Sequence, residues 1–466
     1  MAVPSPPGSD LRPSAPHRAG GADASRATRR RRERVARALG VALTVASALG
    51  IAWLTLTPKS ELPATPRPWC FTCGELGGLD FALNIALFIP LGFALRMAGV
   101  RPRRALLACA GATLAIELLQ LGIPGRVTST GDLVSNTLGG ALGVALGSWW
   151  RVLLFPGAVT AWRLAAACAA GWLAMLAGTM WMLQPDPPDS VYYGQIAADL
   201  GQFDRFRGEV LSAAVGPLPL RDGRMRNSAI VRDLLRREGT AVRAVATTSG
   251  EHTRRVAPIA SIFDNHQREV MVLGQMGADA IYRTRHRSSA LGFRTPDISV
   301  WSVFPAAAGD TIALTAWEAE HRLHLVAERG GERMERTIEL RPTWGWALIL
   351  PFENVIVPRY RAFTAWWLAL LALPLGYYAG HALRGRARGR LRWWPLATVP
   401  LLAAAVLALG LEGLPRALGL SPGEPWEWRG ALAGLAAGLA AALPARWMAR
   451  WLARRPAHSR HTRSAA

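Results

Sequence analysis

Three polar pairs interrupt consecutive apolar stretches, and each pair contains one carboxylate. Asp80 and Asn84 are four residues apart, Glu117 and Gln120 three apart, Asp132 and Asn136 four apart. Those spacings put both members of a pair on one face of a helix. Carboxylates so placed can engage a polar ligand or act as acid and base. An ionisable group inside a membrane span costs roughly 2.5–3.5 kcal/mol on insertion scales and is seldom left facing lipid. Three such pairs in a row therefore point to a shared interior site. Arg126, in the loop GIPGRVTSTG between the second and third stretches, is a natural partner for the acids. The competing reading is structural. Asp132 at a helix start suits an N-cap, and interhelical hydrogen bonds of about 0.6 kcal/mol each would simply hold the bundle together. Glu117 lies too deep in its stretch to be a cap.

The elements that position these residues follow from hydropathy and charge. The chain is 51% hydrophobic with 19 Trp, which excludes a disordered chain or an ordinary soluble basic protein. A net charge of +22 on one globular surface would fit nucleic acid. Here the charge sits in short arginine runs beside apolar stretches, so the partner it implies is a lipid bilayer and no nucleic acid. Eight spans are expected, at roughly 38–57, 80–98, 105–123, 132–150, 164–183, 363–382, 394–411 and 430–446. Arginines cluster before the first span and after the second, fourth, sixth and eighth, so the positive-inside rule puts both termini in the cytoplasm. All three carboxylates then converge near the outer leaflet. Gly139, Gly143 and Gly147 recur every fourth residue and give the fourth span a smooth packing face, as Gly430, Gly434 and Gly438 give the last.

Residues 184–343 differ in character. Short alternating runs such as TAVRAVATT, REVMVLGQM and TIALTAWEA are separated by turn signals, which predicts an all-β sandwich outside the membrane. The stretch from Asn227 to Glu238 reads as a short helix or an irregular crossover. The predicted organisation is a disordered basic tail (1–37), a helical membrane region (38–150) and a loop with the fifth span (151–183). The β domain (184–343), an interfacial linker (344–362), three spans (363–446) and a basic tail (447–466) complete it. Trp344 and Trp346 fit an aromatic belt at the membrane surface. The fold class is thus a polytopic helical membrane protein with an inserted β-sandwich.

Residues from about Ile51 to Trp150 resemble the VanZ-like membrane proteins. The resemblance rests on Asp80-x3-Asn84 leading into LFIPLGF, on Glu117-x2-Gln120, on Arg126 and on DLVSNTLGGALG from Asp132. It implies a role in the bacterial cell envelope, in a family named for an accessory protein of glycopeptide-antibiotic resistance. Cys70-Phe-Thr-Cys73 before Gly74 resembles an element ahead of the Asp-x3-Asn helix in some relatives. In the outer loop the two cysteines read as a local disulfide or as two thiols. The β region resembles the concanavalin A-like jelly rolls of the laminin G type, carried by IASIFDNHQREVMVLGQMGADAIYRTR. That resemblance implies glycan binding, sometimes with calcium, although Asp264, Asn265 and His266 read as a turn. No metal site is expected: His252, His266, His286, His321 and His324 lack zinc spacing, and no cofactor motif is visible. The function expected is recognition of an envelope glycan or lipid-linked precursor at the outer face. The alternative is a membrane enzyme using Asp80, Glu117 or Asp132 as acid–base groups on a lipid-linked substrate, with transport third.

Overall fold

The computed structural model describes residues 19–58, 76–126, 128–199, 203–350, 359–383 and 394–453. Cys70 and Cys73 lie outside the described residues. Helix α1 (Ala19–Leu56) carries the N-terminal arginine run and the first apolar stretch together. Residues 19–37 are therefore helical where the sequence reading places a disordered tail. Alanine and arginine favour helix, and the apolar run supplies the template from which it extends.

Helices α2 (Gly77–Met97), α3 (Pro102–Gln120) and α4 (Thr130–Ser148) follow. Gly99, at φ +92°, takes the left-handed turn that ends α2, and Pro102 opens α3 where its missing N–H costs nothing. Ser129 caps α4 by accepting from the Gly131 N–H. The closest contact in this bundle is between α2 and α4. A Cβ on Gly139 would meet the Ile85 carbonyl, and one on Gly143 the Ile89 carbonyl, so only glycine allows the two backbones this near. A small apolar core of Ile51, Phe88, Leu91, Cys109 and Ile116 fills the centre. The short α5 (Trp150–Leu154) then leads into α6 (Ala158–Met182).

Beyond α6 the described residues form two six-stranded antiparallel sheets. The N-terminal part gives β1 (Tyr192–Ile196), β2 (Val210–Val215), β3 (Leu218–Pro219), β4 (Gly223–Arg224) and the helix α7 (Ser228–Arg236). Next come β5 (Val242–Ser249), β6 (Ala257–Asp264), β7 (Glu269–Met276), β8 (Asp279–Thr284) and the one-turn helix α8 (Arg287–Ala290). The last are β9 (Ile298–Val300), β10 (Ala308–Ala319), β11 (Arg322–Arg329) and β12 (Glu332–Glu339). One sheet runs β4-β1-β6-β7-β8-β9 and the other β12-β11-β10-β5-β2-β3. Alternate residues of β5 and β10 are buried, including Val242, Ala244, Ile312 and Leu314. They join Ile262, Met271, Leu273 and Ile298 of the facing sheet in one core, which makes the pair a sandwich.

A 3-10 turn, Pro342–Leu348, returns the chain to helix. Trp344 and Trp346, expected in an aromatic belt, are instead buried in the core that joins the sandwich to the end of α6. Their large apolar faces gain more by filling that junction than by lying at a surface, and the Trp346 indole donates to Thr364 Oγ1 at 2.9 Å. Helices α9 (Tyr360–Ala382) and α10 (Trp394–Ala408), a π turn at Leu409–Gly413, α11 (Leu414–Ala417) and α12 (Pro425–Ala453) complete the fold. A second apolar core of Trp172, Leu176, Leu368, Leu407 and Leu435 ties α6, α9, α10 and α12 together. Among the described residues, four helices are long and apolar enough to cross a membrane: Glu33–Leu56 within α1, then α2, α6 and α9.

Candidate functional site

The polar residues of the first four helices meet along the seam between α3 and α4. Thr113, Glu117 and Gln120 share one face of α3; Asp132 and Asn136 share one face of α4. At the deep end, Asn136 Nδ2 donates to Thr113 Oγ1 at 3.0 Å, and both side chains are buried. One turn toward the α3–α4 loop, Glu117 Oε2 accepts from the Ser129 N–H at 3.0 Å, and Glu117 is only 9% exposed. Asn84 reaches across from α2 to donate to Asp132 Oδ1 at 2.7 Å. Asp132 lies within Coulombic reach of Glu117, so the two carboxylates repel. At the end nearest the α3–α4 loop, Gln120 Nε2 donates to the Thr55 carbonyl of α1 at 3.0 Å. The eight residues from Thr113 to Gln120 span about 10 Å of helix.

Asp80 and Arg126 fall differently. Asp80 is exposed in the first turn of α2, one turn beyond Asn84. Arg126 does not pair with the acids. Its Nε donates to the Thr57 carbonyl at 3.0 Å and its Nη2 to the Leu54 carbonyl at 2.7 Å, so it neutralises the carbonyl end of α1. Opposite charge and proximity in sequence suggested the acids; the exposed carbonyls at the end of α1 were the competing acceptors.

The start of α2, at the same end of the bundle as Glu117 and Asp132, meets the sandwich. Leu79 N–H, in the first turn of α2, donates to the Gly292 carbonyl just after α8 at 2.9 Å. The end of α6 and the starts of α9 and α12 meet the sandwich as well, through Met180, Tyr360 and Glu427.

A second polar cluster, invisible in the sequence reading, lies where the sandwich meets α12. Arg341 Nη2 pairs with Glu427 at 3.0 Å, while Nη1 pairs with Glu339 at 3.2 Å and Glu424 at 3.3 Å. Arg341 also donates to the Pro422 carbonyl at 2.7 Å, and Thr343 Oγ1 donates to Glu427 Oε1 at 2.5 Å. The only sequence signal was a glutamate and an arginine bordering apolar stretches 86 residues apart.

Within the sandwich, Asp264 is the turn residue it was read as: it accepts from the His266 and Arg268 N–H groups, each at 2.9 Å, and pairs with Arg268. On the other sheet, Trp317 of β10 stacks on His324 of β11 with ring centroids 4.7 Å apart, and Thr337 Oγ1 lies 2.9 Å from His324 Nδ1. Desolvation, with Arg322 nearby, holds the His324 imidazole below its ordinary pKa. Among the described residues, no group of three or more His, Cys, Asp or Glu could hold a metal ion.

No curated protein and no solved structure matches the chain. The helical bundle that carries the whole seam, residues 28–151, matches the VanZ/LLP1 family.

Proposed function

We propose that this chain is an eight-span envelope membrane protein that binds a lipid-linked precursor or glycan at its outer face. The observation that carries the reading is the polar seam: two carboxylates, three amides and a hydroxyl gathered at the end of a bundle that faces the sandwich. The arginine runs after α2, after α4 and at the end of α12 lie at the opposite helix ends, which supports an outward-facing seam and sandwich. In this reading α3 and α4 span as well, although their own hydropathy is lower, because α2 packs along α4 and shields its glycine face. The sandwich, in jelly-roll form, offers the Trp317–His324 stack as an aromatic platform for a sugar ring.

The test is a pair of neutral swaps, Glu117→Gln and Asp132→Asn, in the full chain. Each amide keeps the shape and removes the charge. Loss of an envelope-stress or glycopeptide-tolerance phenotype with unchanged abundance and melting supports a binding site. Unchanged phenotype for both swaps overturns it. The catalytic alternative is favoured by one feature, two carboxylates at the same level with one buried. It requires that Glu117→Gln retain ligand and lose turnover.

A further inference from the structure

We propose that α7 is a foot by which the sandwich stands on the bilayer, binding anionic phospholipid at headgroup level. The proposal rests on the reading that α6 and α9 cross the membrane. Helix α7 closes the end of the sandwich by which the chain enters from α6 and leaves toward α9. At its start, Ser228 Oγ accepts at 3.0 Å from the N–H of Tyr192, the first residue of β1. Just past its end, the Gly239 N–H donates at 2.7 Å to the Glu318 carbonyl, near the end of β10. The helix therefore bridges the two sheets across that end. Its height is set by the chain leaving α6: Arg236 Nη2 donates to the Pro187 carbonyl at 3.2 Å, and Arg232 pairs with Asp189. Pro187 is five residues beyond Met182, the last residue of α6, a reach of at most about 18 Å. A helix about 10 Å across fills much of that gap. Trp181, exposed at the end of α6 with the Arg287 guanidinium 5.1 Å from its ring centroid, marks the interface from which that reach is measured.

The two sides of α7 differ. Val231 is buried in the sandwich core, so the opposite side looks away from it. That side carries Ala229, Ile230, Asp233, Arg236 and Arg237, all exposed. The stretch from Arg224 to Glu238 holds five arginines against Asp233 and Glu238, and Asp233 already has Arg232 Nε at 3.8 Å. An exposed isoleucine flanked by arginines, on a helix lying beside the ends of spanning helices, fits a lipid surface. The isoleucine enters the acyl boundary, and guanidinium forks take phosphate oxygens. A zwitterionic headgroup compensates its own phosphate, so the excess of arginine favours an anionic lipid such as phosphatidylglycerol.

The experiment places the photoreactive residue p-benzoylphenylalanine at Ile230, Leu211 or Leu370 of the full chain. The protein is held in phosphatidylcholine nanodiscs with or without phosphatidylglycerol. Leu211 is as exposed as Ile230, at 53%, but lies toward the far end of β2, whose Val215 is the residue in register with Val242 near α7. Leu370 is 62% exposed midway along α9. Lipid adducts are read by mass spectrometry, and hydrogen exchange over residues 228–237 is compared between the two disc compositions. Adducts at Ile230 and Leu370 should exceed those at Leu211 tenfold or more, and phosphatidylglycerol should slow the exchange. Arg226→Gln/Arg237→Gln should remove that slowing and leave the adduct at Ile230. If a substituted chain fails to fold, the exchange contrast in the unsubstituted protein still decides. Adducts at Leu370 with none above the Leu211 level at Ile230 overturn the foot and leave the spans standing. No adducts at Leu370 overturn the spans themselves. Chain-to-chain adducts at Ile230 assign the face to a second copy and overturn the lipid, and equal exchange in the two discs overturns the anionic preference.

Discussion

Removing Arg341 tests whether the sandwich is clamped to α12 by charge. Arg341 is 6% exposed, and the carboxylate it meets on Glu427 is fully buried. Arg341→Met fills similar volume but withdraws the cation from three carboxylates. Glu339 and Glu424 retain 14% and 42% exposure and can turn toward water, whereas Glu427 cannot. The Thr343 hydroxyl and the Glu424 N–H still donate to Glu427, but neither carries charge. Leaving one member of a buried pair uncompensated costs about 3–5 kcal/mol. At about 1.4 kcal/mol per factor of ten, local opening of the junction should rise about a hundredfold to a few thousandfold. Native-state hydrogen exchange over residues 339–350 and 420–428 reads that opening. The double variant Arg341→Met/Glu427→Gln should recover most of the loss, since the amide no longer needs a counter-ion. Exchange within about tenfold of wild type for Arg341→Met, or a double variant no better than the single, refutes a charge clamp.

Gly143→Leu should separate α2 from α4, because its Cβ would meet the Ile89 backbone and backbone cannot give way; a loss of about 1–3 kcal/mol or more is expected by melting in detergent. Gly111→Ala is the control: nothing lies within 4 Å of an added Cβ, so it should be neutral or stabilise the helix by about 0.5–1 kcal/mol, and a large loss would discredit the seam geometry. Asp204 accepts from the Arg255 and Arg254 N–H groups, which hold its carboxyl below the ordinary range. Its folded value is depressed, so its contribution is present above the unfolded value of about 3.9 and lost as pH falls through the folded one. Exchange at the Asp204–Val256 contact should therefore quicken in acid, and Asp204→Asn should remove that acid dependence. Trp317→Ala should abolish retention of the full chain on isolated envelope polysaccharide while leaving its melting unchanged; intact retention would remove this face from the binding surface.

Strands such as β5, β6 and β10 were legible because each buries one face or both, which writes either an alternation or an apolar run into the sequence. Strands β1 to β4 were not. Two of them are two residues long, and β1 carries a glycine at its centre, so no period had room to develop. The helices were legible from their apolar lengths, yet α3 and α4 lack the hydropathy of the others. Arg103, Arg104 and Glu117 lower it in α3, and Ser129 to Asn136 open α4 with a polar turn. The pairing of Asp80 with Asn84, Glu117 with Gln120 and Asp132 with Asn136 on single helix faces was readable from spacing. Their partners were not, because a side chain chooses among acceptors that only the fold brings near. Thr113 escaped notice as an ordinary threonine in an apolar stretch, and Arg126 chose carbonyls over acids.

The two polar clusters differ in how completely their hydrogen bonding is satisfied. Around Arg341, Glu427 spends its two oxygens on Arg341, Thr343 and Glu424, and Arg341 spends its donors on three carboxylates and two carbonyls. Such a network rigidifies a junction and leaves nothing for a ligand. Along α3 and α4, Gln120 Oε1 and Asn136 Oδ1 are buried with no partner, and Glu117 pairs with no basic side chain among the described residues. The Arg341 cluster joins the sandwich to α12, while on the other side the sandwich is met by the start of α2 through Leu79 and Gly292. The satisfied one anchors the sandwich to the C-terminal helices. The other leaves the amide oxygens of Gln120 and Asn136 buried without partners, which is why the proposed binding reading is placed there and not at Arg341.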